Sequence, residues 1–403
     1  MKILQINAVY NIGSTGRNTT ELHYALLQRE FESYVACSMS GSANEDRLFM
    51  IGDKKDRKIH ALLSRLSGKQ AYFSKNATKK LIKFMEKIKP DVVHLGNLHA
   101  NFINLPLLLK YLDEKDIATV ITLHDFWFMT GKCVHFIEAD CYKWKTECKN
   151  CPNLQSGNSS WFFDRTKKMF NDKLSLISKI KRLAVIGVSD WVTVSAKKSP
   201  IFKNAKIIKK IYNWVDFESF RPKDISQLKD KLGITNEFVV LGVATIWDER
   251  KDLNSFVKLS EQLPENSKIV IVGSIPEGIK LPDNMIAVGR TESVEELVDY
   301  YNLADVFVTL SAEETFGKVS VESLGCGTPV VCYKATANIE VVGEGCGYLV
   351  EKGNLDGIGE AINKIYVDGK EKYSGNCINF ARSNFDKKKL IDEHIALYNE
   401  LCK

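Results

Sequence analysis

The chain has 403 residues, 44% hydrophobic and 26% charged, with 25 Gly and 9 Pro, a balance that excludes disordered, collagen-like and low-complexity classes. That length exceeds one ordinary core and fits two domains of about 200 residues each. The net charge of +6 is unevenly placed: twelve Lys/Arg face three acids between Asp53 and Pro90, thirteen face three between Trp161 and Lys210, and the rest is net acidic.

Lys2 to Ala8 alternates like a strand, and MKILQINAVY lacks the long apolar core of a signal peptide. No run of eighteen apolar residues offers a membrane span, so the expected location is the cytoplasm. Asn11 to Arg17 then forms a glycine-bearing turn before a helical pattern through Leu27. Between a first strand and first helix, backbone N–H groups around Gly13 and Gly16 can approach an anion. The turn is not G-x-G-x-x-G, and no acid at the expected distance points to a nicotinamide dinucleotide.

The basic stretch that follows has three readings: solvated helix faces, an anionic membrane surface, or nucleic acid. Leu62, Leu63, Leu66, Leu81, Ile82, Phe84, Met85 and Ile88 interleave with its lysines, the pattern of amphipathic helices that lie on a bilayer. No nucleic-acid-binding fold accompanies it, so no nucleic-acid partner is expected. Asp91 to Leu95 reads as a buried strand ending in Gly96-Asn97-Leu98-His99, and Ala118 to Leu123 as another that delivers His124 and Asp125. A His at a strand tip is either a ligand contact or a satisfied core residue. Asp125 would orient that imidazole or meet an acceptor directly.

Residues 131–154 hold Cys133, Cys141, Cys148 and Cys151, the last two as C-x-x-C. Four thiols in a cytoplasmic protein suit a structural zinc, with free or redox thiols and disulfides as the alternatives. A filled four-thiolate site leaves no water to activate, so no catalytic cofactor follows from it. Leu183 to Gly187 is a further strand. Ile211 to Asp216 opens a polar, proline-containing stretch that marks a domain boundary.

Phe238 to Ala244 begins the second half as a strand and leads to Arg250 and Lys251, cations of the kind a diphosphate requires. Lys268 to Gly273 and Ile286 to Arg290 are the next strands. Asp305 to Leu310 is another, followed by SAEETFGKVSVESLGCGTPVV from Ser311 to Val331. Glu314 lies in the loop of that stretch and Glu322 one turn inside the helix that Gly317 and Lys318 begin. A helix N-terminus suits a phosphate. Carboxylates flanking that anion would instead accept hydrogen bonds from sugar hydroxyls, the combination a nucleotide-sugar presents. Spacing alone also admits a plain loop and helix with solvent-facing acids.

E-E-T-F-G-K-V-x-V-E-S-x-G-C-G-T-P-V-V resembles the E-x7-E signature of retaining glycosyltransferases of family 4. The H-D-x-W-x-x-T-G-x-C leader and C-x-x-C-P end resemble a branch that builds bacterial surface polysaccharides of the capsule, colanic acid and O-antigen kind. The resemblance implies an α/β, GT-B architecture of two Rossmann-like, doubly wound domains facing a cleft. It implies an acceptor domain over 1–213, a donor domain over 214–386 and a final helix over 387–403 returning to the first. Glu322 would hold the ribose, Glu314 the donor sugar, and His124 the reacting face, with Asp125 toward the acceptor. Lys251 and Arg250 would grip the diphosphate. Gly13, Gly16, Gly289, Arg290, Phe316, Gly317 and Lys318 complete the implied donor set. The sequence departs from the family at Thr245 and Asp252, where an arginine and a glycine are usual.

The function expected is transfer of a hexosyl group from a nucleotide diphosphate-sugar to a glycan or lipid-linked oligosaccharide, peripheral at the inner face of the cytoplasmic membrane. No Asp-x-Asp metal motif is present, and no catalytic metal is expected. A nucleotide-sugar epimerase of the same fold remains open on the sequence. So does a zinc-bearing scaffold or nucleic-acid protein, which would leave Glu314, Glu322 and Lys251 unexplained.

Overall fold

The computed structural model describes residues 1–42, 45–248 and 250–403. The chain divides into two compact units, one of Met1–Tyr212 with Ile391–Lys403 and one of Asn213–Leu390. The last helix, Lys387–Cys402, is thus shared: its first turn counts with the second unit and the remainder with the first.

In the first unit, β1 (Lys2–Tyr10), β2 (Glu32–Ser40), β3 (Leu48–Met50), β4 (Val92–Leu95), β5 (Ala118–Leu123), β6 (Leu183–Gly187) and β7 (Ile207–Lys210) form one sheet in the order β3-β2-β1-β4-β5-β6-β7. Every pairing in it is parallel. Parallel neighbours need a crossover, which helices supply, and helices on both faces bury the central strands. That is why β4, β5 and β6 are mostly apolar and buried at each position.

The second unit repeats the design with β8 (Phe238–Ile246), β9 (Ser267–Ser274), β10 (Met285–Val288), β11 (Val306–Thr309), β12 (Val330–Tyr333) and β13 (Gly347–Val350). Its order is β10-β9-β8-β11-β12-β13, again all parallel. Both units are doubly wound, Rossmann-like sheets. In each, the strand order reverses direction once, between β1 and β4 and between β8 and β11. Loops leaving the carboxyl ends of strands at such reversals diverge and leave room for a ligand.

The two basic helices differ in what they bury. Lys75–Ile88 turns Leu81, Met85 and Ile88 into the core, and Phe84 stacks on Phe49 with ring centroids 4.7 Å apart. Lys54–Ser67 buries only His60 and Ser64 and leaves Leu62, Leu63 and Leu66 exposed. The single amphipathic set expected from the sequence is therefore split, and the Lys75–Ile88 half belongs to the core.

The terminal helix is tied to the first sheet through a buried polar chain. His94 of β4 bonds through Nδ1 to the Tyr398 hydroxyl at 2.7 Å and through Nε2 to Thr122 Oγ1 of β5 at 2.6 Å. Burial, with lesser contributions from His394 and His124, keeps the imidazole well below the ordinary histidine value. Arg29 adds a 2.7 Å ion pair to Asp392 on the same helix. Tyr398→Phe should cost about 1–3 kcal/mol by leaving a buried imidazole nitrogen without its partner. Thermal unfolding of the variant measures it, and an unchanged midpoint would contradict this account.

Candidate functional site

At the reversal of the second sheet, β8 is followed by Trp247, whose indole Nε1 donates to Val272 O at 3.1 Å and whose ring packs edge-on to Phe256. This closes β8 against β9. Gly273, at the end of β9, has φ 121°, and a Cβ there would fall 1.7 Å from Ala244 O, so no larger residue fits. Beyond Trp247 the chain turns tightly, Lys251 N and Asp252 N both donating to Asp248 O. Arg250 folds back and forks onto Asp248 Oδ2 through Nε at 3.2 Å and an Nη at 2.8 Å.

Lys251 points the other way. Its Nζ lies 2.6 Å from Glu314 Oε1 and 3.0 Å from Ser311 Oγ, both in the loop after β11. The structure thus brings Lys251 to the carboxylate, whereas Arg250 is engaged by its own turn, as expected for adjacent residues in a turn. Asp252, where the family pattern has glycine, sits at φ 52° in the left-handed region that favours glycine. Its carboxylate caps the helix Leu253–Ser260 through Ser255 N at 3.2 Å and Ser255 Oγ at 2.6 Å, which offsets the cost of that conformation.

The loop after β11 is held from the far side by the chain after β12. Glu314 N donates to Thr336 Oγ1 at 3.0 Å, Ala337 N to Glu314 O at 3.2 Å, and Asn338 Nδ2 to Ser311 O at 3.3 Å. Gly317, at φ 82°, starts the helix Lys318–Gly325, which has no side-chain cap and no acid in its first turn. An uncapped, acid-free N-terminus favours an anion. Beside it, Ser320 Oγ and Asn338 Oδ1 are buried without a hydrogen-bond partner. Glu322 is buried to 1% exposure, and the Tyr301 hydroxyl donates to its Oε2 at 3.1 Å. Phe316, implied as a donor contact, is instead a core side chain, edge-on to Phe385 at 5.5 Å. Gly289 and Arg290 are exposed just past β10, and Gly289 O accepts Gly273 N at 3.2 Å. Ser311, Ser320, Thr336 and Asn338 carried no signal in the sequence, because the last two reach the site only through the β11–β12 pairing.

In the first unit the helix begins at Gly13 itself, so Gly13 and Gly16 form its first turn and not a free loop. His124 stands at the end of β5 and is half-buried, its N–H donating to Thr122 O at 3.2 Å. Asp125 turns away from it. One carboxylate oxygen meets His99 Nε2 at 2.9 Å and the other accepts Trp127 N at 2.8 Å. The imidazole oriented by Asp125 is therefore His99, from the neighbouring strand tip, and adjacent strands β4 and β5 bring the two together. Burial works against both charges. The carboxylate nevertheless holds His99 above its ordinary value, and His99 holds Asp125 below the usual carboxylate range.

The cysteine-bearing segment is organised by aromatic packing and buried lysines. Phe136 contacts Phe126, Tyr142, Trp144 and Trp191 at centroid distances of 4.6 to 5.9 Å. Lys132 Nζ donates to Asn153 O and Leu154 O, and Lys173 Nζ to Trp127 O and Thr130 O, with Lys173 also 3.8 Å from the Trp127 ring centre. The four thiols are free. Cys133 and Cys151 share a thiol hydrogen bond, which raises the former's pKa and lowers the latter's to about 7. Cys148 Sγ accepts Gly131 N at 3.2 Å. Among the described residues, no group of three or more His, Cys, Asp or Glu side chains is placed to hold a metal ion. Cys133 interacts electrostatically with Cys148 and Cys151, and Cys148 with Cys141 and Cys151.

The His99–Asp125 pair has a defined pH signature. A raised histidine value contributes stability in full below the unfolded value of about 6.5, and this is lost as pH rises through the raised value. A lowered aspartate value contributes above about pH 3.9 and is lost as pH falls through the lowered one. His99→Gln should therefore depress the melting temperature most near pH 5–6 and less on the alkaline side, relative to the parent chain. An equal depression at both ends would exclude the ion pair.

Residues 224–384 match the family model "Glycosyl transferases group 1". WcaC of Escherichia coli (strain K12), named for colanic acid biosynthesis, is 21% identical over 434 aligned positions that cover both chains in full. The N-acetyl-alpha-D-glucosaminyl L-malate synthase of Bacillus anthracis is 24% identical over 221 residues, 50% of this chain and 56% of that one. This chain thus spans little more than half the length of the second relative. Among solved structures, Anabaena Alr3699/HepE in complex with UDP superposes with a TM-score of 0.67 at 18% identity, over 99% of this chain and 100% of that one. Residues 224–384 thus match the glycosyl transferases group 1 model, in a chain whose two Rossmann-like domains share the fold of Anabaena Alr3699/HepE.

Proposed function

We propose that the chain moves a hexosyl group from a nucleotide diphosphate-sugar to a hydroxyl of a glycan or lipid-linked oligosaccharide, with retention at the anomeric carbon, in building a bacterial surface polysaccharide. The observation that carries this reading is the placement of Lys251 on Glu314 and Ser311 beside the uncapped helix at Lys318. A diphosphate there meets an ammonium and a helix N-terminus. A sugar beyond it meets the Glu314 carboxylate, and Glu322, four residues into the helix, takes the ribose side. The family match and the UDP-bound neighbour support the same donor class. The relative named for colanic acid synthesis supports the polysaccharide context.

In this reading the bond between the anomeric carbon and the diphosphate oxygen breaks, and negative charge grows on the leaving group. Lys251 and the helix end stabilise that charge, usually the largest electrostatic contribution to such a step. The acceptor hydroxyl adds to the same face and its proton passes to the departing phosphate. On the first unit, the resemblance assigns His124 to the reacting face and Asp125, bonded to His99, to the acceptor.

Lys251→Met should lower turnover about a hundredfold or more, the scale of one lost charge-stabilising donor, with the melting temperature kept. Glu322→Ala should remove stabilisation by nucleotide diphosphate, which for the parent chain at a hundred times its dissociation constant is about 2.7 kcal/mol. A thermal-shift panel of nucleotide diphosphates and their sugars reads this directly. No stabilising nucleotide, or equal stabilisation of parent and variant, would remove the basis for the reading.

A further inference from the structure

The helix Lys54–Ser67 is built inside out. Its buried positions are His60 and Ser64, where His60 Nδ1 bonds to Ser74 Oγ at 2.7 Å. Its exposed positions include Ile59 at 59%, Leu62 at 47%, and Leu63 and Leu66 at 37% each. These four follow the i, i+3, i+4, i+7 spacing of a single helical face. An apolar stripe at that spacing normally faces a core. Here the core side is polar and the stripe faces out.

A second apolar element lies against the end of this helix. Trp161 N donates to Arg65 O at 2.8 Å, and Phe163 O occupies the space that a Cβ on Gly68 would need. This contact presents Trp161, Phe162 and Phe163 at 48%, 67% and 48% exposure. Single exposed apolar side chains are ordinary, but a contiguous set of this size marks an interaction surface. Cations border it: Lys54, Lys55, Lys58 and Arg65 are exposed on the helix, and the Arg165 guanidinium lies 5.2 Å over the Phe163 ring. The nearby acids Asp53 and Asp164 accept backbone N–H groups of Asp56 and of Cys151 and Thr166.

We infer that this surface docks the first unit onto an anionic lipid bilayer, with Ile59, Leu62, Leu66, Trp161 and Phe162 entering the interface and the lysines meeting lipid phosphates. Charge complementarity selects this occupant. A protein partner of matched shape would need the rim cations answered one by one, whereas a bilayer answers any basic rim around an apolar centre. Aromatic side chains and a helical Leu/Ile stripe are the elements that settle at the boundary between headgroups and acyl chains. The inference stands on the first unit alone and does not depend on the donor site.

Cosedimentation of the full chain with vesicles tests it. The chain should pellet with phosphatidylcholine vesicles containing phosphatidylglycerol and stay in solution with phosphatidylcholine alone. Leu62→Ser with Phe162→Ser should weaken binding tenfold or more, and each of Lys55→Gln and Lys58→Gln on the order of fivefold, with the melting temperature unchanged because all four side chains are exposed. Lipids brominated along the acyl chain should quench Trp161, seen as loss of the effect in Trp161→Phe. Failure to bind anionic vesicles, or binding indifferent to the double substitution, overturns the inference. So does a concentration-dependent dimer that the double variant disperses without any vesicle affinity.

Discussion

Lys251 reaches Glu314 across 63 positions of sequence because β8 and β11 are parallel neighbours. Parallel pairing is the constraint from which the rest of the second unit follows. It forces each connection to return through a helix, puts the carboxyl ends of all strands on one edge, and buries both sheet faces. At the β8–β11 reversal the loops leave in opposite directions, so the turn bearing Lys251 and the loop bearing Glu314 converge from either side. The helix after that loop points its positive end at the same place. Lys251 thus meets the loop carboxylate and the helix dipole with no local sequence contact joining its turn to that loop.

The first unit solves a different problem, the burial of polar groups among apolar ones. His94 is kept neutral and bonded at both nitrogens, so that the terminal helix and β5 share one buried link. Lys132 and Lys173 place ammonium groups against backbone carbonyls of an irregular segment. A buried ammonium is expensive unless its donors are all used, and here each serves as the hub that carbonyls of a strandless stretch require. The aromatic cluster around Phe136 supplies the apolar half of the same arrangement.

Composition was a poor guide where two elements share it. The helices Lys54–Ser67 and Lys75–Ile88 are both lysine-rich with interleaved Leu, Ile and Phe, yet one packs its apolar stripe inward and the other outward. The difference lies in what faces them: β2 and β3 offer Tyr34 and Phe49 to Phe84, while His60 and Ser64 meet the polar Ser74 turn. Arg250 and Lys251 are likewise indistinguishable as cations. The turn beginning at Asp248 captures the first and aims the second.

The sequence by itself marked the buried central strands β1, β4, β5, β6, β8, β9 and β11, because a short apolar run between turn signals is a local pattern, but not β2, β3, β7 or β13. It determined the helix N-terminus at Gly317 and the spacing of Glu314 from Glu322, since both lie within one loop and helix. Tertiary structure alone decided that Asp125 serves His99 and not its neighbour His124, and that Phe316 is core. It also decided that Thr336 and Asn338 brace a loop 22 and 27 residues earlier in the chain, and that Leu62 faces outward. Each of these depends on which strand tips become adjacent and on which side of a helix the core lies. Those are non-local facts that no window of residues contains.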